Sequence, residues 1–413
     1  MKFIADFHIH SKYSRATSPQ SDLEHLEEQA RIKGIDVLGT GDFTHPEWFN
    51  NLKEKLEPAE PGLFKTKNGK TRFILTSEIS CIYSKNNKVR KIHILILAPD
   101  FKIVEKINTQ LGQIGNLKSD GRPILGLDVK ELTKIILSIS SNCLIIPAHI
   151  MTPWFSLFGS KSGFDSLEEC FEDYSKYIFA CETGLSASPA MLWRMPDVRK
   201  ITLISNSDAH SPQKIGREVN VFDTELNYSA IYEAIKSGDP KKFLYTIEFF
   251  PQQGKYYYNG HRKCEISCSP QETKKYNGIC PVCGRPLTIG VLSRVEELAD
   301  QPEGFKPENA IPFKSLVPLK DIIADLLKIG AGTKGVEKEY KDLIQKFGSE
   351  FNVLLNVPIP DLEQANLPEI AEAISRLRKQ EIYVEPGYDG EYGKINIFSK
   401  GRERKISGQR NLF

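Results

Sequence analysis

Histidine and carboxylate side chains stand at or near the ends of seven short apolar runs in the first 250 residues. They are His8, His10, Asp42, His45, Glu78, His93, His149, Glu182, Asp208 and His210. Imidazoles and carboxylates together are typical ligands of divalent metals, and burying so many of them without a cation would be costly. The pattern therefore predicts a multinuclear metal site.

The elements that position these side chains are short strands alternating with helices. The apolar runs are 2–7, 35–38, 73–75, 92–97, 143–146, 178–180 and 201–204. Between them, residues 21–34 have helical spacing with Ser21 or Asp22 as the cap and Gly34 as the stop, and Asp128 caps a second helix. This order predicts an α/β fold, a distorted TIM-like (β/α)7 barrel with a largely parallel sheet, whose C-terminal strand ends share one face.

Composition is that of an ordinary globular protein of 413 residues, with 40% hydrophobic and 26% charged residues. The net charge of +2 means that a nucleic-acid partner must bind to local basic patches.

Composition changes along the chain predict four segments: a metal-dependent barrel over 1–250, a cysteine module over 251–295, a mainly helical domain over 296–398, and a basic flexible tail over 399–413. No apolar run is long enough to cross a membrane and no signal peptide is evident, so we expect a cytoplasmic protein without a membrane partner.

The motifs of the barrel resemble those of the polymerase and histidinol phosphatase (PHP) superfamily. The matching segments are Asp6-Phe7-His8-Ile9-His10-Ser11, Gly39-Thr40-Gly41-Asp42, Thr76-Ser77-Glu78, His93, Ala148-His149 and Asn206-Ser207-Asp208-Ala209-His210. The resemblance implies two or three metals: one held by His8, His10, Glu78 and Asp208, a second sharing Glu78 with His93 and His149, and a third held by His210. The sequence departs from the family because Phe43 follows Asp42 and a further histidine after His10 is missing. Asp42 or His45 would then complete the third site.

Such a site suits phosphoester hydrolysis, because metals about 3.5 to 4 Å apart polarise a phosphoryl oxygen and activate a water molecule. We expect Zn, Mn, Mg or Fe in the barrel. Asp208 is predicted to orient or deprotonate the nucleophile, with His210 and Glu78 completing the catalytic set.

Four cysteines between residues 264 and 283 have the spacing of a second kind of metal site. They are Cys264, Cys268, Cys280 and Cys283. Four thiolates bind one zinc ion and leave no position open for catalysis, so we predict a structural zinc that stiffens a small module beside the barrel.

Two segments combine aromatic and basic residues in a way that nucleic acids favour. The candidate DNA-binding residues are Trp154, Phe155, Ser160, Lys161 and Ser162 in the loop after His149, and Tyr257, Arg262 and Lys263 before the first cysteine. The loop would stack a base and cradle a phosphate, or its aromatics would simply cap the barrel mouth. The second segment would otherwise be a packed strand with a solvated edge.

The order of these motifs, with the closing segment at 385–393, resembles the endonuclease Q family of DNA-repair enzymes over nearly the whole chain. The resemblance implies metal-dependent hydrolysis of the phosphodiester on the 5′ side of deaminated bases (uracil, hypoxanthine, xanthine) or abasic sites. The alternatives are a PHP-type phosphomonoesterase or exonuclease, and a catalytically inactive nucleic-acid-binding protein. The last residues, Gln409–Phe413, resemble peptides that bind sliding clamps.

Overall fold

The structure is a computed structural model that describes residues 1–365 and 368–398. Its strands are β1 (Lys2–Asp6), β2 (Val37–Gly39), β3 (Leu56–Pro58), β4 (Phe64–Thr66), β5 (Arg72–Lys85), β6 (Lys88–Ala98), β7 (Ile124–Leu125), β8 (Leu144–Pro147), β9 (Ala180–Glu182), β10 (Thr202–Ile204), β11 (Val219–Asp223), β12 (Phe243–Glu248), β13 (Asn259–His261), β14 (Ile266–Cys268), β15 (Phe313–Ser315), β16 (Tyr383–Glu385) and β17 (Lys394–Asn396). Its helices are α1 (Leu23–Lys33), α2 (Pro46–Lys55), α3 (Phe101–Gly112), α4 (Val129–Ile139), α5 (Leu167–Phe171), α6 (Pro189–Leu192), α7 (Tyr228–Ser237), α8 (Pro270–Lys275), α9 (Val291–Leu298), α10 (Leu319–Leu327), α11 (Lys334–Phe347), α12 (Ile359–Gln364) and α13 (Pro368–Arg378).

One large sheet forms most of the barrel wall. Its main path runs β15-β12-β11-β1-β2-β5-β4-β3, with β6 and β7 paired to β5 and β8 paired to β6. The strands β9 and β10 form a separate parallel pair. Each of the seven predicted apolar runs contributes a strand, and the mixed α/β class with a distorted barrel is confirmed.

The sheet is more antiparallel than the sequence analysis predicts. β5 and β6 form a long antiparallel hairpin, and β6 is also antiparallel to β8. The turn consists of Asn86 and Asn87, both with positive φ (54° and 57°). A two-residue connection of this kind can join only antiparallel strands, so His93 arrives on a returning strand and not at a parallel strand end.

Both helices whose caps were predicted begin as expected. The carboxylate of Asp22 accepts a hydrogen bond from the backbone N–H of His25, and Gly34 ends α1 with φ 84°. Asp128 caps α4 by accepting from the N–H of Lys130. The two aspartates set where the helices begin, and Gly34 sets where α1 ends.

The part of the chain after the barrel is fastened to it at several points. β15 adds to the barrel sheet in parallel beside β12. Arg199 makes a two-pronged ion pair, at 2.6 and 2.7 Å, with Asp300 in the connector over residues 299–312 that joins α9 to β15. The predicted mainly helical C-terminal region is confirmed, with α10 to α13 following the connector. The exact domain boundaries stay predictions, and the tail 399–413 lies outside the described residues.

A buried ion pair joins α1 of the barrel to the C-terminal helices. Lys33 Nζ lies 3.4 Å from Glu350 Oε2, and both side chains are less than a tenth exposed. The hydroxyl of Tyr340 donates to the same oxygen at 2.7 Å, and the N–H of Leu319 donates to the other at 3.0 Å. Every polar atom of this carboxylate therefore has a partner.

Replacing Glu350 with alanine is expected to lower the free energy of unfolding by about 3 kcal/mol, since the change leaves Lys33 buried and unpaired. Chemical denaturation at pH 7 measures it. Glu337→Ala is the matched control, because that residue pairs with Lys320 at a half-exposed position and should cost less than about 1 kcal/mol. Equal effects of the two substitutions would contradict this account.

The ion pair between Lys33 and Glu350 also predicts how the stability of the fold depends on pH. Burial alone would raise the pKa of Glu350, but the charge of Lys33 and the two hydrogen bonds outweigh it and lower the pKa below its ordinary value of 4.5. A lowered carboxyl pKa stabilises the fold above pH 4.5, and this contribution is lost as the pH falls through the folded-state pKa. The difference in stability between wild type and Glu350→Ala should therefore shrink in acid.

Among the described residues, no helix has both the length and the apolar character needed to span a bilayer.

Candidate metal centre

The first group of possible ligands combines the end of β1 with β5 and the loop after β10. It consists of His8, His10, Glu78 and Asp208, whose ligand atoms all lie within 4.8 Å of one another. His10 Nε2 is 3.1 Å from Asp208 Oδ1 and 3.2 Å from Glu78 Oε2. His8 Nε2 is 3.4 Å from the same Glu78 oxygen. This set is the one that the PHP resemblance implies for the first metal.

A second group lies beside it and uses the other oxygen of Glu78. His93 Nδ1 is 2.7 Å and His149 Nε2 is 3.0 Å from Glu78 Oε1. The two imidazole nitrogens are 3.2 Å apart. Glu78 therefore faces one group with each oxygen, as a bridging carboxylate does.

The chemistry of these donors fits divalent cations. Nitrogens bound to one cation at about 2.1 Å lie roughly 3.0 to 3.4 Å apart in octahedral or tetrahedral sites, which brackets the separation between His93 and His149. His8 Nε2 is buried and has no hydrogen-bond partner, although it points at Glu78. A buried polar atom without a partner is unfavourable unless an ion completes it. The residues present can thus hold two metals.

Two further carboxylates orient the histidines of the first group. Glu182 lies 3.0 Å from His8 Nδ1, and Asp42 Oδ1 lies 3.0 Å from His10 Nδ1. A carboxylate that accepts from Nδ1–H fixes the tautomer and leaves Nε2 free for a metal. Asp42 Oδ2 is in turn held by the N–H of Ser11 at 2.7 Å and by the hydroxyl of Ser14 at 2.9 Å.

The three residues predicted for a third metal, Asp42, His45 and His210, belong to neither ligand group. Asp42 orients His10 and belongs to neither ligand group. The ring of His45 stacks on Tyr13 at 4.4 Å and is also outside both groups. His210 is close to the first group, with its ring 4.5 Å from that of His10, and its Nδ1 lies 2.9 Å from the carbonyl of Asp208. A third metal held by His210 stays a prediction.

Three side chains of the site stand on strained backbone. Asp42, His149 and Asp208 have positive φ values of 49°, 31° and 46°. Such conformations cost about 1 to 3 kcal/mol each in non-glycine residues and persist only where neighbours hold them. One such neighbour is Arg217, whose guanidinium donates to the carbonyl of Ser207 at 2.8 Å, directly before Asp208.

Arg122 is a site residue that the sequence analysis missed. Its Nη1 lies 3.1 Å from Glu78 Oε2, and the side chain is mostly buried. Gly121 lets this loop approach, because a Cβ at that position would lie 2.3 Å from Asp42 Oδ2. Arginine is too common in the sequence for composition to single it out, and the sequence carried no other signal for this one.

Burial and charge pull the pKa values of the site in opposite directions. Burial lowers the pKa of His93 to about 4, despite the charge of Glu78. For His8 and His10, burial also acts downwards, but neighbouring carboxylates raise both pKa values well above the usual range. The pKa of Asp208 is well below its usual value, because the hydrogen bond from His10 and the charge of His8 outweigh burial. Ionised carboxylates and protonated histidines therefore balance each other until a metal replaces the protons.

The predicted DNA-binding residues of the loop after His149 divide into two kinds. Trp154 is 50% exposed, and Lys91 Nζ lies 5.0 Å from the centre of its ring. Ser160 and Lys161 are also exposed. Ser162, by contrast, is buried, and its hydroxyl accepts from the N–H of Phe155 and donates to the carbonyl of Lys91. Its side chain holds the loop together from within, and its predicted contact with DNA stays a prediction.

The candidates before the first cysteine divide in the same way. Tyr257 is buried and stacks on Tyr258, with the ring centres 5.3 Å apart. Arg262 and Lys263 are exposed, and Arg262 Nε lies 3.5 Å from a carboxylate oxygen of Glu391. Tyr257 is therefore packed, as the alternative expects, although it lies in a bend before β13 and not in a strand, while the two basic side chains are accessible.

The cysteine module is present beside the barrel, as predicted. β13 and β14 pair in an antiparallel hairpin, and Cys268 and Cys280 pack together with Leu287 and Cys264 in a small core. The four side chains whose ligand atoms all lie within 4.8 Å of one another are His261, Cys264, Cys280 and Cys283. The cysteine cluster is thus confirmed, and a histidine lies within it.

Family models match two parts of the chain. The model described as the MJ0043 C-terminal domain matches residues 318–381, and the PHP-associated model matches residues 194–240. Among curated proteins, YqxK of Bacillus subtilis is 30% identical over 414 residues, which cover 95% of this chain and 99% of that protein. MJ0043 of Methanocaldococcus jannaschii is 38% identical over 260 residues, which cover 60% of this chain but only 31% of that protein.

Solved structures give the decisive comparison. The lesion-specific endonuclease PfuEndoQ from Pyrococcus furiosus superimposes with a TM-score of 0.87 at 32% identity, over 98% of both chains. The chain belongs to the endonuclease Q family. Endonuclease Q in complex with a 27-mer duplex that carries an abasic lesion at the active site has a TM-score of 0.85 at 32% identity, over 98% of this chain and 99% of that one. The resemblance to the endonuclease Q family and the predicted PHP barrel are both confirmed.

Proposed function

We propose that this chain is a metal-dependent DNA-repair endonuclease that hydrolyses the phosphodiester on the 5′ side of deaminated bases or abasic sites. The observation that carries the proposal is the end-to-end match to endonuclease Q bound to a duplex with an abasic lesion. The two ligand groups sharing Glu78 support it, because they supply what a hydrolytic site of this kind needs. The precise lesions, the number of metals and their identity belong to the proposal.

Two divalent cations held by these groups would supply the positive charge that activates a water molecule and stabilises the phosphoryl oxygens. Asp208 is the residue best placed to orient that water or take its proton. Its carboxylate is 27% exposed while His8 and His10 beside it are fully buried, so it faces the open side of the site. Its low pKa keeps it ionised, so that it can accept a hydrogen bond from the water and hold it in place.

The exposed loop after His149 supports DNA binding next to the metals. The hydroxyl of Thr152 lies 3.2 Å from His149 Nδ1, so the loop is directly connected to a metal ligand. Trp154 presents an accessible aromatic face with the charge of Lys91 beside it. Stacked bases and backbone phosphates are bound by this combination.

A cavity of about 230 Å³ between this loop and the cysteine module is a suitable receptor for an extruded base. Thr152, Pro153, Tyr256 and Tyr257 are among its lining residues. Deaminated bases pair weakly, and an abasic site has no pair to break, so extrusion costs less at a lesion than at a normal base pair. Thr152 lines this cavity and contacts His149, so a base held there would bring the adjoining phosphodiester towards the two ligand groups.

The proposal is tested with end-labelled duplexes that are identical except for one position, which is normal, uracil, hypoxanthine or abasic. The full-length protein is incubated with each duplex in Mg, Mn or Zn. We expect one nick, confined to the lesion strand on its 5′ side. Extension of the nicked strand by a polymerase without prior phosphatase treatment would identify the 3′-hydroxyl that this chemistry leaves.

Other outcomes separate the alternatives. Progressive shortening from an end, or release of phosphate from a simple monoester, would favour an exonuclease or a phosphomonoesterase. Binding without cleavage under every metal condition would favour an inactive nucleic-acid-binding protein. The sliding-clamp interaction stays a prediction, since Gln409–Phe413 lies outside the described residues. The cytoplasmic location also stays a prediction.

Arg122 is expected to help bind the scissile phosphate, because its guanidinium lies beside Glu78 and is partly open to solvent. Arg122→Ala should lower the cleavage rate by about 10- to 100-fold, and Arg122→Lys should recover part of it. Single-turnover kinetics at full metal occupancy measure the effect. Arg376→Ala, at a surface ion pair of α13, is the control and should cleave normally. An unchanged rate in Arg122→Ala would exclude this role.

A further inference from the structure

The strained conformation of Asp208 depends on the orientation of one peptide group. Its φ of 46° lies in the left-handed region, which residues other than glycine seldom occupy. A half-turn of the peptide plane between Ser207 and Asp208 changes ψ of the first residue and φ of the second, while the rest of the chain hardly moves. Such a turn would relieve the strain at Asp208. It would also shift the carboxylate, whose Oδ1 now lies 3.1 Å from His10 Nε2.

Arg217 holds this peptide in the strained orientation. Its Nη2 donates to the carbonyl of Ser207 at 2.8 Å and lies 3.5 Å from the carbonyl of Asp208. The N–H of Ser207 donates to Asp6 Oδ1 at 3.1 Å, and Asp6 Oδ2 accepts from the N–H of Gly216 at 2.8 Å. Asp6 therefore ties the loop to the residue next to Arg217. Turning the peptide after Ser207 would break the hydrogen bond between its carbonyl and the guanidinium.

The guanidinium of Arg217 lies in surroundings that do not favour a charge. Burial lowers its pKa, and the charges of four acidic residues oppose this effect: Asp208, Glu218, Asp6 and Asp321. In the described part of the chain it belongs to no ion pair, and its Nε is buried without a hydrogen-bond partner. A largely buried charge without a close counter-charge costs stability. The contribution of this arginine is therefore to be sought in the loop that it holds.

We propose that Arg217 is a positioning residue, which locks the peptide between Ser207 and Asp208 and so keeps the Asp208 carboxylate in the first ligand group. A hydrogen bond from a charged donor and the cost of one left-handed residue are of similar size. Without this bond both orientations of the peptide would be populated, and only the strained one presents the carboxylate beside His10 and Glu78. The expected effect on cleavage rests on the proposed function, whereas the expected effect on the peptide does not.

Single-turnover cleavage of the abasic duplex tests the effect on the reaction. Arg217→Met should cleave about 10- to 100-fold more slowly with unchanged DNA affinity. Arg217→Lys should recover part of the rate, because the ammonium keeps the charge and a donor. Arg378→Met is the matched control, since Arg378 also donates to two backbone carbonyls, those of Leu354 at 2.9 Å and Val353 at 3.0 Å, but lies at the end of α13. This control should cleave at the wild-type rate.

A double-mutant cycle with Asp208→Asn separates positioning from a general loss of stability. If Arg217 acts through Asp208, the double variant should cleave within about threefold of the rate of Asp208→Asn alone. Multiplication of the two single effects would overturn the proposal.

A crystal structure of metal-free Arg217→Met gives a readout that does not depend on cleavage. The peptide after Ser207 should turn, wholly or in part, to a negative φ at Asp208, whereas Arg378→Met should keep the positive value. A single orientation unchanged from wild type would overturn the proposal, even in a slow variant. Arg217→Lys supplies the same readouts should the methionine variant fold poorly. Inactive wild-type protein would instead contradict the proposed function and leave the crystallographic test decisive for Arg217.

Discussion

Asp208→Asn is expected to reduce cleavage of lesion-containing DNA by at least about 10³-fold while leaving DNA affinity within a few-fold of wild type. General base catalysis typically contributes 10²- to 10⁴-fold, and this carboxylate also belongs to the first ligand group. An amide keeps the size of the side chain and its contact with His10 but can neither take a proton nor supply a negative charge. Single-turnover cleavage and equilibrium binding to an abasic duplex measure the two quantities.

The positive φ of Asp208 makes the choice of asparagine important. Asparagine tolerates the left-handed region nearly as well as aspartate does, so the backbone beside Arg217 should keep its conformation. Asp173→Asn, an exposed residue paired with Lys130, is the control and should cleave at the wild-type rate. Parallel loss of DNA affinity and melting temperature in Asp208→Asn would show that the residue supports the fold and not the reaction.

Glu78→Gln should remove the barrel metals while the zinc of the cysteine module remains. Both oxygens of Glu78 face ligand groups, with Oε2 3.2 Å from His10 Nε2 and Oε1 2.7 Å from His93 Nδ1. Loss of an outer partner alone typically costs 10- to 100-fold in metal affinity, and this change weakens both groups at once, so we expect at least about 10³-fold. Cleavage should fall below detection at the metal concentrations that saturate wild type.

Elemental analysis after gel filtration measures the outcome, with one zinc per chain expected in Glu78→Gln. The matched control is Glu105→Gln, an exposed glutamate of α3, which should keep every metal. Far-ultraviolet circular dichroism of the two variants should agree. Full barrel occupancy in Glu78→Gln would mean that the carboxylate does not bridge the two groups.

The convergence of the candidate ligands was predictable because these residues recur at one kind of place. His8, His10 and Asp208 each follow a buried strand, and parallel strand ends converge on one face whatever the loops do. Glu78 and His93 are adjacent for another reason: they lie on the two arms of one hairpin. The sequence therefore grouped side chains that the structure brings together, although it misjudged the direction of one strand.

The roles of the residues that contact these candidate ligands could not be predicted from the positions of strand ends. Asp42 was predicted as a ligand, and the sequence did not show that its carboxylate contacts His10 Nδ1 at 3.0 Å and lies outside both ligand groups. Arg122 carries no local signal, and its position depends on a loop that Gly121 allows to approach. His261 was assigned to a basic stretch because its charged neighbours dominate that segment. The contact that defines each role either joins residues far apart in the chain or involves a residue whose neighbours show a stronger local pattern.

The attachment of β15 beside β12 has a consequence for the solubility of the barrel on its own. Without residues 313–315, Thr246, Ile247 and Glu248 would present unpaired backbone amides and carbonyls at the rim of the sheet. Exposed rims of this kind recruit strands from other molecules and lead to aggregation. A chain cut before residue 313 would therefore need a substitute cover for β12, so we expect the barrel expressed alone to aggregate more readily than the full chain.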